Sequence, residues 1–278
     1  MDRIPFGIRR LDTTIGGGAP PGSVVLLSGE AGAGAREFIY TAALMNALVE
    51  TDPELFELYY GDLPAGTAAP PEVHYVSFTA EKKQLRREMS LTMDDEIVET
   101  AAESIAFHDL SNEYFQLSPV PRGWYSDRTD AITQLGSEQD RRSVPEALGD
   151  TLTEHASGNL VIIDSISDLV DAPTDTLEWD DVPVLLKGIS RVAFEWGGMV
   201  LVHVNSESLD DRRHGQLVDA ADGTLLFEWE SGGSMRDRTM VVKQFRGVLS
   251  RIEAEDIVQF ETEIGESGFD ISDVRKIR

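Results

Sequence analysis

The stretch LLSGEAGAGAREF, Leu26 to Phe38, constrains this chain more than any other. It opens in an apolar run, SVVLLSG (Ser23 to Gly29), bounded by Pro20, Pro21 and glycines, which predicts a buried strand ending in a tight turn. It closes in REFIYTAALMNALVE (Arg36 to Glu50), where Phe38, Ala42, Met45 and Leu48 recur at helical spacing. Strand, glycine-rich turn and helix, in that order, is the arrangement a phosphate-binding loop requires. The spacing of Gly29 to Gly34 fits G-x-x-x-x-G-K-[S/T], but Ala35 and Arg36 stand where the lysine and the hydroxyl belong.

Beyond this loop the pattern stays of the βαβ kind. A polar, Pro/Gly-rich segment from Thr51 to Glu72 leads to a second strand, VHYVSF (Val73 to Phe78). Two exposed helical stretches, EKKQLRREM and DDEIVETAAE, precede a third strand, SIAFHDL (Ser104 to Leu110). Ser111 to Arg142 shows no clear period and reads as a long irregular loop, a class that is usually functional or mobile. A helix near Val144 to His155 precedes the apolar run Leu160 to Ile163, a central strand capped by Asp164. VPVLLKGISRVAFEW reads as a helix and Gly198 to Asn205 as another strand. In the last quarter GTLLFEWE, RTMVVKQF and DIVQFETE are β-rich, with ESGGS marking a hairpin. The expected fold is therefore α/β: a mostly parallel central sheet with helices on both faces and antiparallel C-terminal edge strands. Residues 1–278 read as one domain, without repeats or low-complexity tracts.

Composition limits what such a domain can do. Fifty acidic residues against 24 basic ones give a formal charge of −26, and only five of the bases are lysine. Such a surface repels nucleic acid and anionic membrane unless salt screens it, over about 3 Å at 1 M ionic strength. An acidic, lysine-poor chain suits a salt-rich cytoplasm, so a halophile's protein that weakens at low salt is expected. The absence of cysteine excludes disulfides and thiolate chemistry. His74, His108, His155, His203 and His214 lack i, i+4 pairing, which argues against a histidine metal site. Met1 leads straight into polar residues and no apolar run approaches the roughly 20 residues a bilayer span needs, so a cytoplasmic protein without a membrane partner is expected.

The order of motifs carries a resemblance. FGIRRLDTTIGGGAPPGSVVLLSGEAGAG resembles the start of the KaiC-like, RecA-superfamily ATPases, including RadA-like members of the halophilic archaeal type. LVIIDS looks like that family's second nucleotide motif, ending in Asp164, and GGMVLVHVNSES resembles its next strand. DGTLLFEWESGGSMRDRTMVVKQFRG is similar to its hairpin and K-x-R-G signature, carried here by Lys243, Arg246 and Gly247. VQFETEIGESGFDI looks like its C-terminal strand-turn-strand. The resemblance implies a RecA-like P-loop fold, with Gly29, Gly32, Gly34 and Arg36 at the nucleotide, Asp164 toward a magnesium ion, and Lys243 and Arg246 reaching a neighbouring subunit.

Departures from the motif weaken the implied chemistry. In a working loop, backbone N–H groups cradle the phosphates, lysine neutralises their charge and the hydroxyl binds Mg²⁺. The glycines can still form the cradle, but Ala35 brings no charge and Arg36 brings a cation where the metal would sit. Glu37, in the first helical turn, suits the helix N-terminus and is a candidate cap. Thr79 and Ala80 fall where the family's catalytic acids would be, and Glu81 lies one residue on, facing the other way unless the backbone bulges. ATP and Mg²⁺ binding is therefore expected to be weak or lost, and the chain reads first as a non-hydrolysing regulatory or assembly partner. Its partner is then itself, as a homo-oligomer, or an intact KaiC/RadA-like relative.

Two alternatives remain at this point. One is a weak ATPase in which Arg36 replaces the lysine and Glu81 serves as base. The other is a recombination accessory protein that stacks single-stranded DNA on Tyr114, Phe115, Trp124 and Tyr125. Charge does not support nucleic acid, because Lys82-Lys83, Arg86-Arg87, Arg141-Arg142, Arg212-Arg213 and Arg236 with Arg238 are short and flanked by acids. Asp164 can equally be a strand-ending acid bonded to turn N–H groups, and Lys243 and Arg246 surface charges. His203 reads as a satisfied sheet histidine, and Asn205 as turn chemistry.

Overall fold

The structure, a computed structural model, describes residues 2–126, 142–171, 177–232, 235–248 and 257–276. In chain order the helices are α1 (Arg9–Ile15), α2 (Ala35–Thr51), α3 (Pro53–Tyr59), α4 (Lys82–Ser90), α5 (Asp95–Ala101), α6 (Ser111–Phe115), α7 (Val144–His155), α8 (Ile166–Asp171), α9 (Asp181–Trp196) and α10 (Asp211–Ala220). The strands are β1 (Ser23–Gly29), β2 (Val73–Ser77), β3 (Ala106–Asp109), β4 (Leu160–Asp164), β5 (Met199–Asn205), β6 (Gly223–Gly232), β7 (Met235–Phe245), β8 (Ile257–Gly265) and β9 (Gly268–Lys276). They form one nine-stranded sheet in the order β3-β2-β4-β5-β1-β6-β7-β8-β9.

From β3 to β6 every pairing is parallel, and from β6 to β9 every pairing is antiparallel. The division follows the sequence: parallel strands need a crossover of a dozen or more residues, whereas antiparallel neighbours need only a short link. All seven residues of β1 are buried, because the sheet is covered on both faces. The period of two separates its side chains. Val25 and Leu27 join a core beneath α2 with Tyr75, Ile162 and Leu201, while Val24 and Leu26 join a second core with Val161, Val202, Leu148 of α7 and Leu186 of α9. Each large aliphatic side chain fully buried this way contributes about 1.5–3 kcal/mol.

Two segments carry more structure than their sequences suggested. The stretch Thr51 to Glu72 contains α3, started by the Asp52 carboxylate accepting from the Leu55 N–H at 3.0 Å, with Pro53 in the first turn. Asp-Pro-Glu supplies a cap, a preset φ and an acid at the helix start, a local signal that the surrounding polar composition masks. The stretch read as a loop from Ser111 to Arg142 starts with α6 and includes a 3₁₀ turn, Arg122–Trp124. Leu110 and Tyr114 draw α6 into the second core, which overrides its weak period. The remainder of that expectation, residues 127–141, lies outside the described residues.

The N-terminus is fixed by a buried acid. Asp12 in α1 accepts from the N–H groups of Phe6 at 2.8 Å and Gly7 at 3.1 Å and from the Tyr60 hydroxyl at 3.0 Å. Burial pushes its carboxyl up from 3.8 to about 7, against the pull of these hydrogen bonds.

Candidate functional site

The parallel strands β1, β2, β4 and β5 end on one edge of the sheet, and β1 lies outside β4 and β5 although it precedes them in sequence. Such a reversal opens a crevice at the carboxyl ends of the strands. The 29–34 loop, leaving β1 at Gly29, enters α2 at this crevice. Gly32 and Gly34 have φ of +74° and +109°, a conformation costly for any residue with a Cβ, and a Cβ on Gly34 would lie 3.0 Å from the Phe269 ring. Gly29 must be bare for a different reason: a Cβ there would come within 2.6 Å of the Cβ of Ala35. Among the described residues, no group of the chain takes the N–H of Gly32 or Gly34.

The rest of the loop is tied down by the C-terminal strands and by the segment after β5. Trp229 donates its Nε1–H to the Ala31 carbonyl at 3.1 Å, and Arg238 donates Nε–H to the Gly32 carbonyl at 3.0 Å. The Arg238 guanidinium lies 4.7 Å over the Trp229 ring, a cation–π contact that closes one side of the loop. The N–H of Ala31 meets the Glu207 carboxylate at 3.3 Å. An anion of the chain itself thus touches the loop.

Opposite the loop lies Asp164. Leu160, Ile162 and Asp164 alternate on the α2 face of β4, so the carboxylate at the end of this row meets the first turn of α2. It is 8% exposed and has three partners. Tyr75 donates to Oδ2 at 2.6 Å, His203 Nδ1 lies 2.9 Å from Oδ1, and Arg36 Nη2 lies 3.6 Å from the same oxygen. With an ionised carboxylate as acceptor, His203 carries its proton on Nδ1. Burial acts to raise the Asp164 carboxyl, but His203, Arg36 and Tyr75 outweigh it and lower it from 3.8 to about 2. The same neighbourhood raises Arg36 further above its ordinary value, chiefly through the charge of Asp164. Burial, then Asp164, pushes Tyr75 well up, so its hydroxyl stays a donor.

Arg36 therefore turns inward to the acid while its side chain remains 51% exposed. Near a helix N-terminus a cation is unfavourable, and the carboxylate supplies the opposing attraction. Glu37 sits in the same turn, where its charge suits the helix dipole, but the N-cap is Gly34 and no side chain caps it. Tyr40, one turn on, donates to Glu88 of α4 at 2.6 Å. The arrangement is an ionic cluster: one buried carboxylate, a guanidinium and two further donors.

The structure thus brings together Gly29, Gly32, Gly34, Arg36 and Asp164, and leaves the other sequence candidates elsewhere. Glu81 is exposed at the N-cap of α4, and its backbone is extended, with φ −81° and ψ 152°. Ser77 Oγ accepts from the N–H groups of Thr79 and Ala80, which shapes this turn. Arg246 pairs with Asp222 at 3.0 Å, and Asp222 binds the N–H of Val24, so this pair lies at the end of β1 opposite the loop. Lys243 is exposed on β7. Asn205 caps the turn after β5 through the Glu207 N–H at 3.0 Å. Of the aromatics, Tyr114 and Phe115 pack edge to face and Phe115 meets Tyr125, while Trp124 is 76% exposed. Lys82 and Arg86 both pair with Glu103, Arg142 pairs with Asp150, and Arg213 lies near Asp210. Tyr75, Trp229 and Glu207 escaped the sequence reading, and Arg238 was read only as part of a short basic pair. Tyr75 shares a sheet face with Asp164, but only the β2–β4 pairing brings the two together.

No protein-family profile and no curated protein sequence matches the chain. Among solved structures, it is similar to a KaiC-like protein from the hyperthermophilic archaeon Pyrococcus horikoshii, at 18% identity and a TM-score of 0.60, over 98% of this chain and 99% of that one. At that identity the likeness is one of fold: the chain has the mostly parallel, KaiC-like RecA fold with antiparallel edge strands. Among the described residues no helix is long and apolar enough to cross a membrane.

Proposed function

We propose that this chain is a KaiC-like, RadA-like RecA-fold protein whose phosphate loop has lost its catalytic equipment, and that it serves as a non-hydrolysing regulatory or assembly partner. The observation that carries this reading is the Arg36–Asp164 contact at 3.6 Å. In a working site of this fold the carboxylate faces a hydrated magnesium ion. Here a guanidinium with no metal-binding oxygen faces it, and His203 and Tyr75 each donate to one of its oxygens. Gly32 and Gly34 keep N–H groups for a phosphate, but Ala35 cannot neutralise one, and Arg36 is turned to Asp164.

Glu81, exposed and outside the cluster, supports the same reading, because a general base must lie within hydrogen-bond reach of the water it activates. Arg246, at the end of β1 away from the loop, could serve a nucleotide only in another subunit, and with Lys243, exposed on β7, it fits an assembly role. The partner is a second copy or an intact relative. The acidic, lysine-poor composition fits a halophilic, cytoplasmic setting.

Steady-state phosphate release from Mg-ATP, measured alongside sedimentation in molar salt, tests the proposal. It predicts no turnover above background and either a self-assembled species or a complex with an intact relative. Turnover abolished by Glu81→Gln contradicts it and establishes the weak-ATPase alternative.

A further inference from the structure

Three of the five histidines meet away from the loop. His74 of β2, His108 of β3 and His155 at the end of α7 cluster together, with ring centroids 5.3, 4.8 and 4.7 Å apart and planes within 22–33°. His74 Nδ1 and His108 Nε2 are 3.1 Å apart, a hydrogen bond that exists only while one of the two nitrogens is unprotonated. The other nitrogen of His74 faces Glu72 at 3.1 Å and the Asn159 amide at 3.3 Å. His74 and His108 meet through their ring nitrogens, with His155 against both, and among the described residues no such group is arranged to hold a metal.

The cluster sits where the sheet is thinnest. β3 is an edge strand of four residues, paired only with β2 through His74↔Ala106 to Ser77↔Asp109. We propose that the three imidazoles form a proton-operated latch, which holds β3 and the following α6 against β2 and α7 while the rings are neutral and releases them when the rings take up protons. The first proton can be shared between His74 and His108 as an N–H⁺···N bond, but a second leaves both facing nitrogens protonated, breaks the hydrogen bond and places two like charges about 5 Å apart. His74 is 2% exposed and cannot rehydrate without strand separation.

The charged groups facing the cluster do not offset this. Glu72, preceding β2, and Glu154, on α7, are 65% and 76% exposed and largely solvated. Burial, then the neighbouring His155, lowers the His74 value, and burial, His155 and His74 lower His108 from 6.5 to about 4. For a histidine depressed on folding, closure is favoured fully above 6.5 and is lost as pH falls from 6.5 toward 4, because the released strand binds the proton first. The latch is independent of the phosphate-loop proposal.

The test is site-resolved hydrogen exchange of the full chain in molar salt, corrected for intrinsic rates, at pH 7 and pH 4.5. Protection of the β3 amides should fall about fifty-fold through His108 alone, read against the same amides in the variants. His108→Phe keeps an aromatic ring without a titrating nitrogen and should remove most of the selective loss, while His155→Phe, which leaves His108 buried, should only reduce it. A uniform fall across the sheet, or the same β3 loss in a folded phenylalanine variant, overturns the latch.

Discussion

Arg36 and Asp164 stand 128 positions apart in sequence, yet their side chains meet at 3.6 Å across the mouth of the crevice. The acid is buried and the base half-exposed, so the two contribute unequally. Asp164→Ala leaves the Tyr75 hydroxyl, the His203 Nδ1–H and the Arg36 guanidinium without their acceptor, and should destabilise the fold by about 3–5 kcal/mol in chemical denaturation. Arg36→Ala removes only the screened partner and should lose about 1 kcal/mol or less.

The lowered Asp164 carboxyl has a pH signature. Its folded value, about 2, lies below the ordinary 3.8, so its stabilisation is complete above pH 3.8 and disappears as pH falls through about 2. A carboxyl-selective infrared titration of the wild type against Asp164→Asn should show this group still ionised at pH 3.

Asp12 has the opposite sign. Its folded value of about 7 lies above 3.8, so its contribution is fully present below pH 3.8 and is lost as pH rises through about 7. Relative to Asp12→Asn, the wild type should lose stability between pH 4 and 7, on the order of 4 kcal/mol from the shift alone. At pH 4 the variant should be the weaker of the two, since an amide cannot accept from Phe6, Gly7 and Tyr60 at once.

Much of this architecture was legible because it is periodic. The run Ser23 to Gly29 and the helical spacing from Phe38 to Leu48 locate β1 and α2, and the turns of the last quarter signal antiparallel strands. The substitutions Ala35 and Arg36 were equally plain. What sequence did not reveal is where Arg36 points, since that depends on β4 ending beside α2 and on alternation presenting Asp164 to that face. Tyr75, Trp229 and the histidine cluster depend in the same way on strands that pair across long separations. Helix α3 was missed for a local reason: its Asp-Pro-Glu start lies within a polar segment that reads as loop.

The surface predicts a dependence on salt. With a formal charge of −26, self-repulsion grows as screening falls, from a Debye length of about 3 Å at 1 M salt to about 30 Å at 0.01 M. Far-ultraviolet circular dichroism should show loss of helix on dialysis from molar salt to dilute buffer; an unchanged spectrum contradicts the halophilic assignment.

The central claim is that a guanidinium in the metal's place leaves the loop unable to retain a triphosphate. Isothermal titration of the wild type with Mg-ATP in molar salt, paired with the double substitution Ala35→Lys and Arg36→Thr, tests it directly. The account predicts no saturable heat for the wild type up to about 1 mM and affinity at least tenfold tighter in the double variant, about 1.4 kcal/mol or more. Micromolar binding of Mg-ATP by the wild type would contradict it.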